Sequence, residues 1–95
     1  GKATWYNPAL GSCGWTNGDN DVVVAVSHQI YGQGINACKK CVNIVGSNGK
    51  TVKATVVDKC MGCTPDHLDV SPATFKAVEP DLGVGVLRGI SWTLV

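Results

Sequence analysis

Several features of common protein classes are missing from this sequence. No apolar run approaches the ~18 residues that a membrane-spanning helix needs. No stretch reads as a signal peptide, so we expect a chain that has already been processed. The 8 Lys and Arg and the 7 Asp and Glu residues are interspersed and leave a net charge of +1, so no basic patch follows a phosphate backbone. We therefore expect neither a membrane nor a nucleic acid as partner.

Cysteine, in contrast, is abundant, with 5 residues in 95. The pairs Cys38/Cys41 and Cys60/Cys63 have the spacing of a four-cysteine zinc site, which is the rival interpretation. Cys13 has no place in such a site but can form a disulfide, and a small core with many glycine turns gains about 2–4 kcal/mol from each such bond. We favour disulfides in an oxidising compartment, with one thiol left over, and expect no metal and no cofactor.

The chain is long enough for one domain with one modest core, and its pattern is that of a β protein. Six short strands are predicted, at residues 3–6, 22–26, 41–45, 51–57, 68–70 and 90–95. The third and fourth strands form the clearest hairpin, because Asn48-Gly49 allows the positive φ angles of its turn. Such strands can close into a barrel or stack as a sandwich, and periodicity does not decide between the two.

One helix is predicted over residues 71–78. Ser71 is a good N-cap, and Pro72 stands at the first helical position, where its missing N–H group is not needed. Phe75 and Val78 lie three residues apart and share one face, and Pro80 ends the helix.

Six segments, taken in order, resemble the double-psi β-barrels of the rare lipoprotein A and expansin superfamily, and most closely the single-domain fungal loosenins. They are residues 3–6 (ATWY), 11–15 (GSCGW), 24–28 (VAVSH), 36–41 (NACKKC), 55–63 (TVVDKCMGC) and 68–75 (LDVSPATF). The resemblance implies an all-β fold, a six-stranded double-psi β-barrel with one or two short helices and an open polysaccharide groove. We expect residues 1–95 to form this single domain, without the carbohydrate-binding domain of full-length expansins.

The resemblance also implies a polysaccharide-binding site. Asp69 matches the aspartate of a Leu-Asp-Leu-Ser motif. Expansins need this aspartate, and in the related family 45 glycoside hydrolases it is the general acid. The alternative role of Asp69 is to support the helix cap at Ser71. Asp58 matches a groove-lining position, but it could equally bind backbone N–H groups of a loop. Thr4 and Tyr6 share one face of the first strand, which looks into the groove in the family; packing at the rim is the alternative for Tyr6.

Trp15 and the two histidines complete the candidate residues. Trp15 lies in a glycine-rich loop and could stack on a sugar ring, although its neighbour Cys13 suggests that it covers a disulfide. His28 matches a histidine of the rare lipoprotein A lytic transglycosylases, which cut glycan strands without water, but we favour a structural role at the end of the second strand. His67 could touch a substrate or be a solvated loop residue. Trp92, in the alternating last strand, is expected in the core.

A second catalytic carboxylate is not found where hydrolysis needs it. Inversion requires two carboxyl groups about 6.5–9.5 Å apart, one acting as acid and the other as base. In the hydrolase relatives the base follows the first strand, where this chain has Asn7-Pro8-Ala9. The resemblance places Asp58 on the same side of the scissile bond as Asp69, where it cannot replace the missing base. We therefore predict a protein that binds and loosens cell-wall polysaccharide, cellulose or chitin, without hydrolysis.

The resemblance implies bonds Cys13–Cys38 and Cys60–Cys63 and leaves Cys41 free; a bond from Cys41 to Cys60 or Cys63 is the rival. Similar barrels also serve as cysteine-protease inhibitors and as defence or effector proteins. A protein-binding module, with a loop tip around Asp66-His67, is therefore the alternative function, and transglycosylase-like glycan cleavage is a second one. In each case we expect a secreted monomer.

Overall fold

In a computed structural model of the chain, residues 1–31, 38 and 40–95 are described. Three residues of one resembling segment, Asn36, Ala37 and Lys39, lie outside the described residues. The strands are β1 (Lys2–Trp5), β2 (Val23–Ser27), β3 (Cys41–Val45), β4 (Thr51–Cys60), β5 (His67–Val70), β6 (Val86–Arg88) and β7 (Ser91–Leu94). The helices are α1 (His28–Tyr31) and α2 (Pro72–Val78), followed by a 3₁₀ turn at Leu82–Val84.

The described strands form one sheet in the order β6-β1-β5-β2-β4-β3-β7. The pairs β1/β5 and β2/β4 are parallel, and the other neighbours are antiparallel. β6 and β7 stand at opposite ends of this order, yet only Gly89 and Ile90 separate them along the chain. The sheet must therefore curl until its two ends meet. Gly89 has a φ of 68°, which other residues rarely adopt.

This curled sheet with short helices confirms the expected fold class, with one strand more than the six predicted. The additional strand is β6, a three-residue element between Gly85 and Gly89. Its partner is β1, at the other end of the sequence. A local pattern cannot reveal a strand this short whose partner is so distant.

The core lies inside the curl. β2 is buried on both faces, which explains its uninterrupted apolar sequence. The predicted hairpin is present, with β3 and β4 paired from Cys41↔Thr55 to Val45↔Thr51. The predicted helix is also present: the Ser71 side chain accepts the Thr74 N–H at 3.2 Å, and Phe75 is fully buried. Trp92 packs against this core, as expected.

Two disulfide bonds cross-link the irregular segments. Cys13–Cys38 ties the loop after β1 to the segment before β3, and Cys60–Cys63 joins the end of β4 to the following turn. Cys41 is free. Because Cys38, Cys60 and Cys63 are bonded to sulfur, they cannot act as the thiolate ligands of the rival zinc site.

The two disulfides should contribute unequally to stability. Loop-closure entropy predicts a loss of about 3.5 kcal/mol in the free energy of unfolding for the C13A/C38A variant and about 1.6 kcal/mol for C60A/C63A, because the bonds span 25 and 3 residues. Urea unfolding of both variants beside the parent chain measures the difference. A larger loss in C60A/C63A would contradict the prediction.

Candidate functional site

The outer face of the curled sheet carries most of the predicted site residues. On β1, Ala3 is buried in the core while Thr4 is half-buried on the opposite side. On β5, Leu68 is in the core and Asp69 is half-buried in the same way. Successive side chains of a strand point to opposite faces, and Thr4 pairs with Asp69 in the parallel ladder. Thr4 and Asp69 therefore project together from the outer face.

One row of paired residues crosses four strands at this level. Thr4 pairs with Asp69, Asp69 with Ala25, and Ala25 with Asp58. Ala25 is only 3% exposed and forms a small, buried floor between the two acids. Neighbouring strands are about 4.8 Å apart, so the Cα atoms of Asp69 and Asp58 are separated by about 10 Å. We call these four residues the acid row.

The place of Asp58 in the acid row depends on a β-bulge. The β2/β4 register passes from Val24↔Val56 directly to Ala25↔Asp58, so Val57 is an extra residue in β4. In an uninterrupted register Asp58 would stand opposite Val26, which lies in the core. A slip of one residue moves every later side chain to the other face of a sheet. The bulge thus turns Asp58 outward, beside Asp69.

The loop before β2 is bonded to this bulge. The N–H groups of Ser12 and Lys59 donate to Asp58 Oδ1 at 2.9 and 2.8 Å. The Cys13 N–H donates to the carbonyl of Val57 at 3.2 Å. Gly11 packs so closely that a Cβ atom there would lie 2.2 Å from the same carbonyl oxygen, so a larger residue would push the loop away. Asp58 thus binds backbone N–H groups, which is one of the two roles considered for it. It lies inside β4 and not at the end of this strand.

A hydrogen-bonded chain joins Asp69, Thr4 and His67. The Thr4 hydroxyl donates to Asp69 Oδ1 at 3.1 Å and lies 2.9 Å from His67 Nε2. Because the hydroxyl has one proton, which it gives to the carboxylate, the matching histidine tautomer donates its Nε2–H to Thr4.

The environment shifts the pKa values of both ends of this chain. Burial raises the pKa of Asp69, the Thr4 hydrogen bond and the charge of His67 oppose the rise, and Asp58 adds to it. Burial lowers the pKa of His67, and the nearby charge of Lys2 lowers it further, whereas Asp69 raises it. Asp69 is therefore a carboxylate with less solvation than a free one, held in place by a neutral hydroxyl.

Tyr6 continues the outer face just beyond β1. Burial, followed by the negative charges of Asp58 and Asp69, raises the pKa of Tyr6 to about 12. The phenol is consequently protonated at neutral pH. Its hydroxyl has no hydrogen-bond partner among the residues that the structure describes, so it is free to donate to a ligand oxygen.

The remaining candidates are Trp15, His28 and His67. Trp15 is half-buried in the loop that Asp58 holds. His28 directly follows β2 as the first residue of α1, and in the described part of the chain no hydrogen bond joins it to Asp69. His67 is the first residue of β5, where it pairs with Lys2, so it does not lie in a loop.

Comparisons with known proteins agree with this architecture. No protein-family model matches the chain. It is 42% identical to the allergen Asp f 7 of Aspergillus fumigatus over 97% of its length. The solved Streptomyces papain inhibitor is similar over the whole chain and 91% of the inhibitor, with a TM-score of 0.87 and 31% identity. An expansin of Clavibacter michiganensis, solved in complex with cellohexaose, matches the whole chain with a TM-score of 0.84 and 33% identity.

The fold and these relatives define the class of the protein as a double-psi β-barrel. The chain belongs to the expansin-related double-psi β-barrel family, the rare lipoprotein A-like proteins. It spans 35% of the length of the allergen and 48% of the expansin. The similarity to these two proteins therefore concerns a single region of each of them.

Asp69 should lower stability at neutral pH. Because burial raises its pKa, the folded state binds the proton more tightly than the unfolded state, so its ionisation costs stability as the pH rises above the unfolded pKa. We expect D69N to be more stable than the parent at pH 7 by a few tenths of a kcal/mol, about 1–3 °C in Tm. The gain should vanish near pH 3, where both side chains are neutral. Thermal unfolding at the two pH values tests this; an equal gain at both would contradict it.

Proposed function

We propose that the protein is secreted and that it binds cell-wall polysaccharide and loosens its network without hydrolysis, as a loosenin-like protein. The observation that carries this proposal is the half-buried Asp69 carboxylate, fixed by Thr4 and adjoining Tyr6 on the outer face. The cellohexaose complex of the similar expansin supports a β-linked glucan as ligand. The two disulfides and relatives such as a fungal allergen indicate an extracellular protein. No helix within the described residues is long and apolar enough to cross a bilayer.

The chemistry of the acid row suits a sugar chain. A carboxylate offers about four acceptor sites, and one site of Asp69 is filled by Thr4. The remaining sites can accept sugar hydroxyls, which replace the water that burial has removed. The Tyr6 hydroxyl supplies a donor beside these acceptors, and its ring supplies an apolar surface for a pyranose face. Binding in this way uses one neutral donor and one acid and needs no proton transfer.

Asp58 is the residue that a hydrolytic mechanism would have to recruit, since it is the second acid in the acid row. Two features argue against this role. Its Oδ1 atom already accepts two backbone N–H groups, which hold the carboxylate under the loop. Both acids also project from one sheet face, so they approach a bound chain from the same side, whereas inversion needs a water on the side opposite the leaving group.

The proposal is tested by binding and network assays on D69N and Y6F. We expect the parent protein to bind cellulose or chitin in a pull-down and to weaken a cellulose sheet in an extension assay. D69N should bind about tenfold less tightly, since hydrogen bonds to a charged group contribute roughly 1.5–3 kcal/mol each; Y6F should lose less. E79Q, which removes one negative charge at the end of α2, is the matched control and should behave like the parent.

The non-hydrolytic mechanism has its own measurement. Reducing ends released from soluble glucans and from peptidoglycan should stay at the background of a blank for the parent protein. Turnover that disappears in D69N or D58N would overturn the non-hydrolytic mechanism. Absence of any polysaccharide binding by the parent would overturn the proposed function itself.

Inhibition of a cysteine protease is a second candidate function. It is supported by the similarity to the Streptomyces papain inhibitor, which extends over 91% of that protein. Asp66, at the tip proposed for a protein contact, is 75% exposed. If this function holds, papain activity should fall in the presence of the parent protein, D66A should weaken the inhibition, and D69N should leave it unchanged. No inhibition at high micromolar protein would exclude this candidate.

A further inference from the structure

A pair of cations lies on the outer face next to the acid row. Lys2 and Arg88 are direct partners in the antiparallel ladder of β1 and β6. On its other side Lys2 pairs with His67 in the parallel ladder of β1 and β5. Alternation places Lys2 and Thr4 on the same face, two residues or about 6.7 Å apart along β1. We call Lys2 and Arg88 the cation pair.

The cation pair is unfavourable for the isolated protein. Directly opposed residues of an antiparallel pair have Cβ atoms about 4.5–5.5 Å apart, and like charges in that position are destabilising. Within the described residues, neither side chain has an ion-pair or hydrogen-bond partner. Asp66, a nearby acid, is paired with the amino group of Gly1 at 3.2 Å. Among the residues that the structure describes, the two opposed positive charges therefore have no ion-pair partner.

Space for a ligand is present at this position. A cavity with a volume of about 320 Å³ is lined by the cation pair together with Gly1, Thr64, Asp66 and Gly89. Burial and then the charge of Lys2 lower the pKa of His67, which agrees with the pairing of Lys2 and His67 in the ladder beside the acid row. The outer face is thus divided into a negative region at Asp69 and Asp58 and a positive region at the start of β1.

Protection of the sheet edge does not explain this arrangement. Edge strands often carry a charged residue that prevents pairing with another chain, and Arg88 on β6 can serve that purpose. Lys2, however, lies on β1, which has strand neighbours on both sides. An uncharged residue at position 2 would leave the edge protected and would remove the repulsion.

We propose that the cation pair is an anion-binding subsite and that the natural ligand is an acidic polysaccharide, one whose sugars carry carboxylate or phosphate groups. This inference rests on the proposed function, since the same chain would lie across the acid row. The guanidinium of Arg88 can bind an oxyanion through two parallel hydrogen bonds, and the Lys2 ammonium adds a point charge. The acid row binds hydroxyls of a neutral sugar unit, and the cation pair binds the charged substituent of a neighbouring unit.

The test uses three soluble derivatives of one backbone. Carboxymethyl cellulose carries carboxylates, cellulose phosphate carries phosphates, and hydroxyethyl cellulose is neutral. Biolayer interferometry measures the affinity of the parent protein, the K2Q/R88Q variant and the control K50Q/K53Q, which removes two lysines from the β3/β4 hairpin and so changes the net charge equally. Urea unfolding of each variant shows whether it is folded.

We expect at least one charged polymer to bind the parent about tenfold more tightly than the neutral polymer, a preference that K2Q/R88Q loses and K50Q/K53Q keeps. The polymer that gives the preference identifies carboxylate or phosphate as the group recognised. K2Q/R88Q should be at least as stable as the parent because the repulsion is gone. Equal affinity for charged and neutral polymers, or an equal loss in both double variants, would overturn the subsite and leave the proposed function standing. Absence of binding to all three polymers would overturn both.

Discussion

The β-bulge at Val57 is the constraint on which the outer face depends. β4 pairs with β2 in parallel before and after the bulge, but the bulge turns the Asp58 side chain from the core to the outer face. The same residue offers its carbonyl to Cys13 and leaves room only for a glycine at position 11. One extra residue therefore determines where the second acid stands and where the loop after β1 is attached. The electrostatic surroundings of Asp69 and Tyr6 follow from that placement.

Sequence reasoning was successful where the determinants are local. The hairpin of β3 and β4 depends on alternation and on Gly49, whose φ is 84°, and α2 depends on Ser71 and Pro72 at its start. Alternation assigned Thr4 to one face of β1, and Tyr6 follows just beyond the end of this strand; the role of Asp69, taken from the resemblance of its motif, stays a prediction. Each of these statements needs only neighbours along the chain or a recognisable motif.

It was less successful where a position depends on distant pairing. No local pattern predicts the bulge, so the outward direction of Asp58 could not be derived from the residues of β4. The contact between His67 and Thr4 joins residues 63 positions apart. Lys2 and Arg88 meet only because β6 is the partner of β1, and β6 itself was not recognised. Asp69 and the cation pair, which give the outer face its negative and positive regions, therefore have strand partners that are distant in the sequence.

The pairing of β1 has a kinetic consequence. Its partners β5 and β6 lie far along the chain, with His67 opposite Lys2 in one ladder and Arg88 opposite Lys2 in the other. Contacts between distant segments of a chain require loop closure first and are made slowly. The surface that carries Thr4 and Asp69 therefore depends on the closure of long loops, and we expect it to form late in folding.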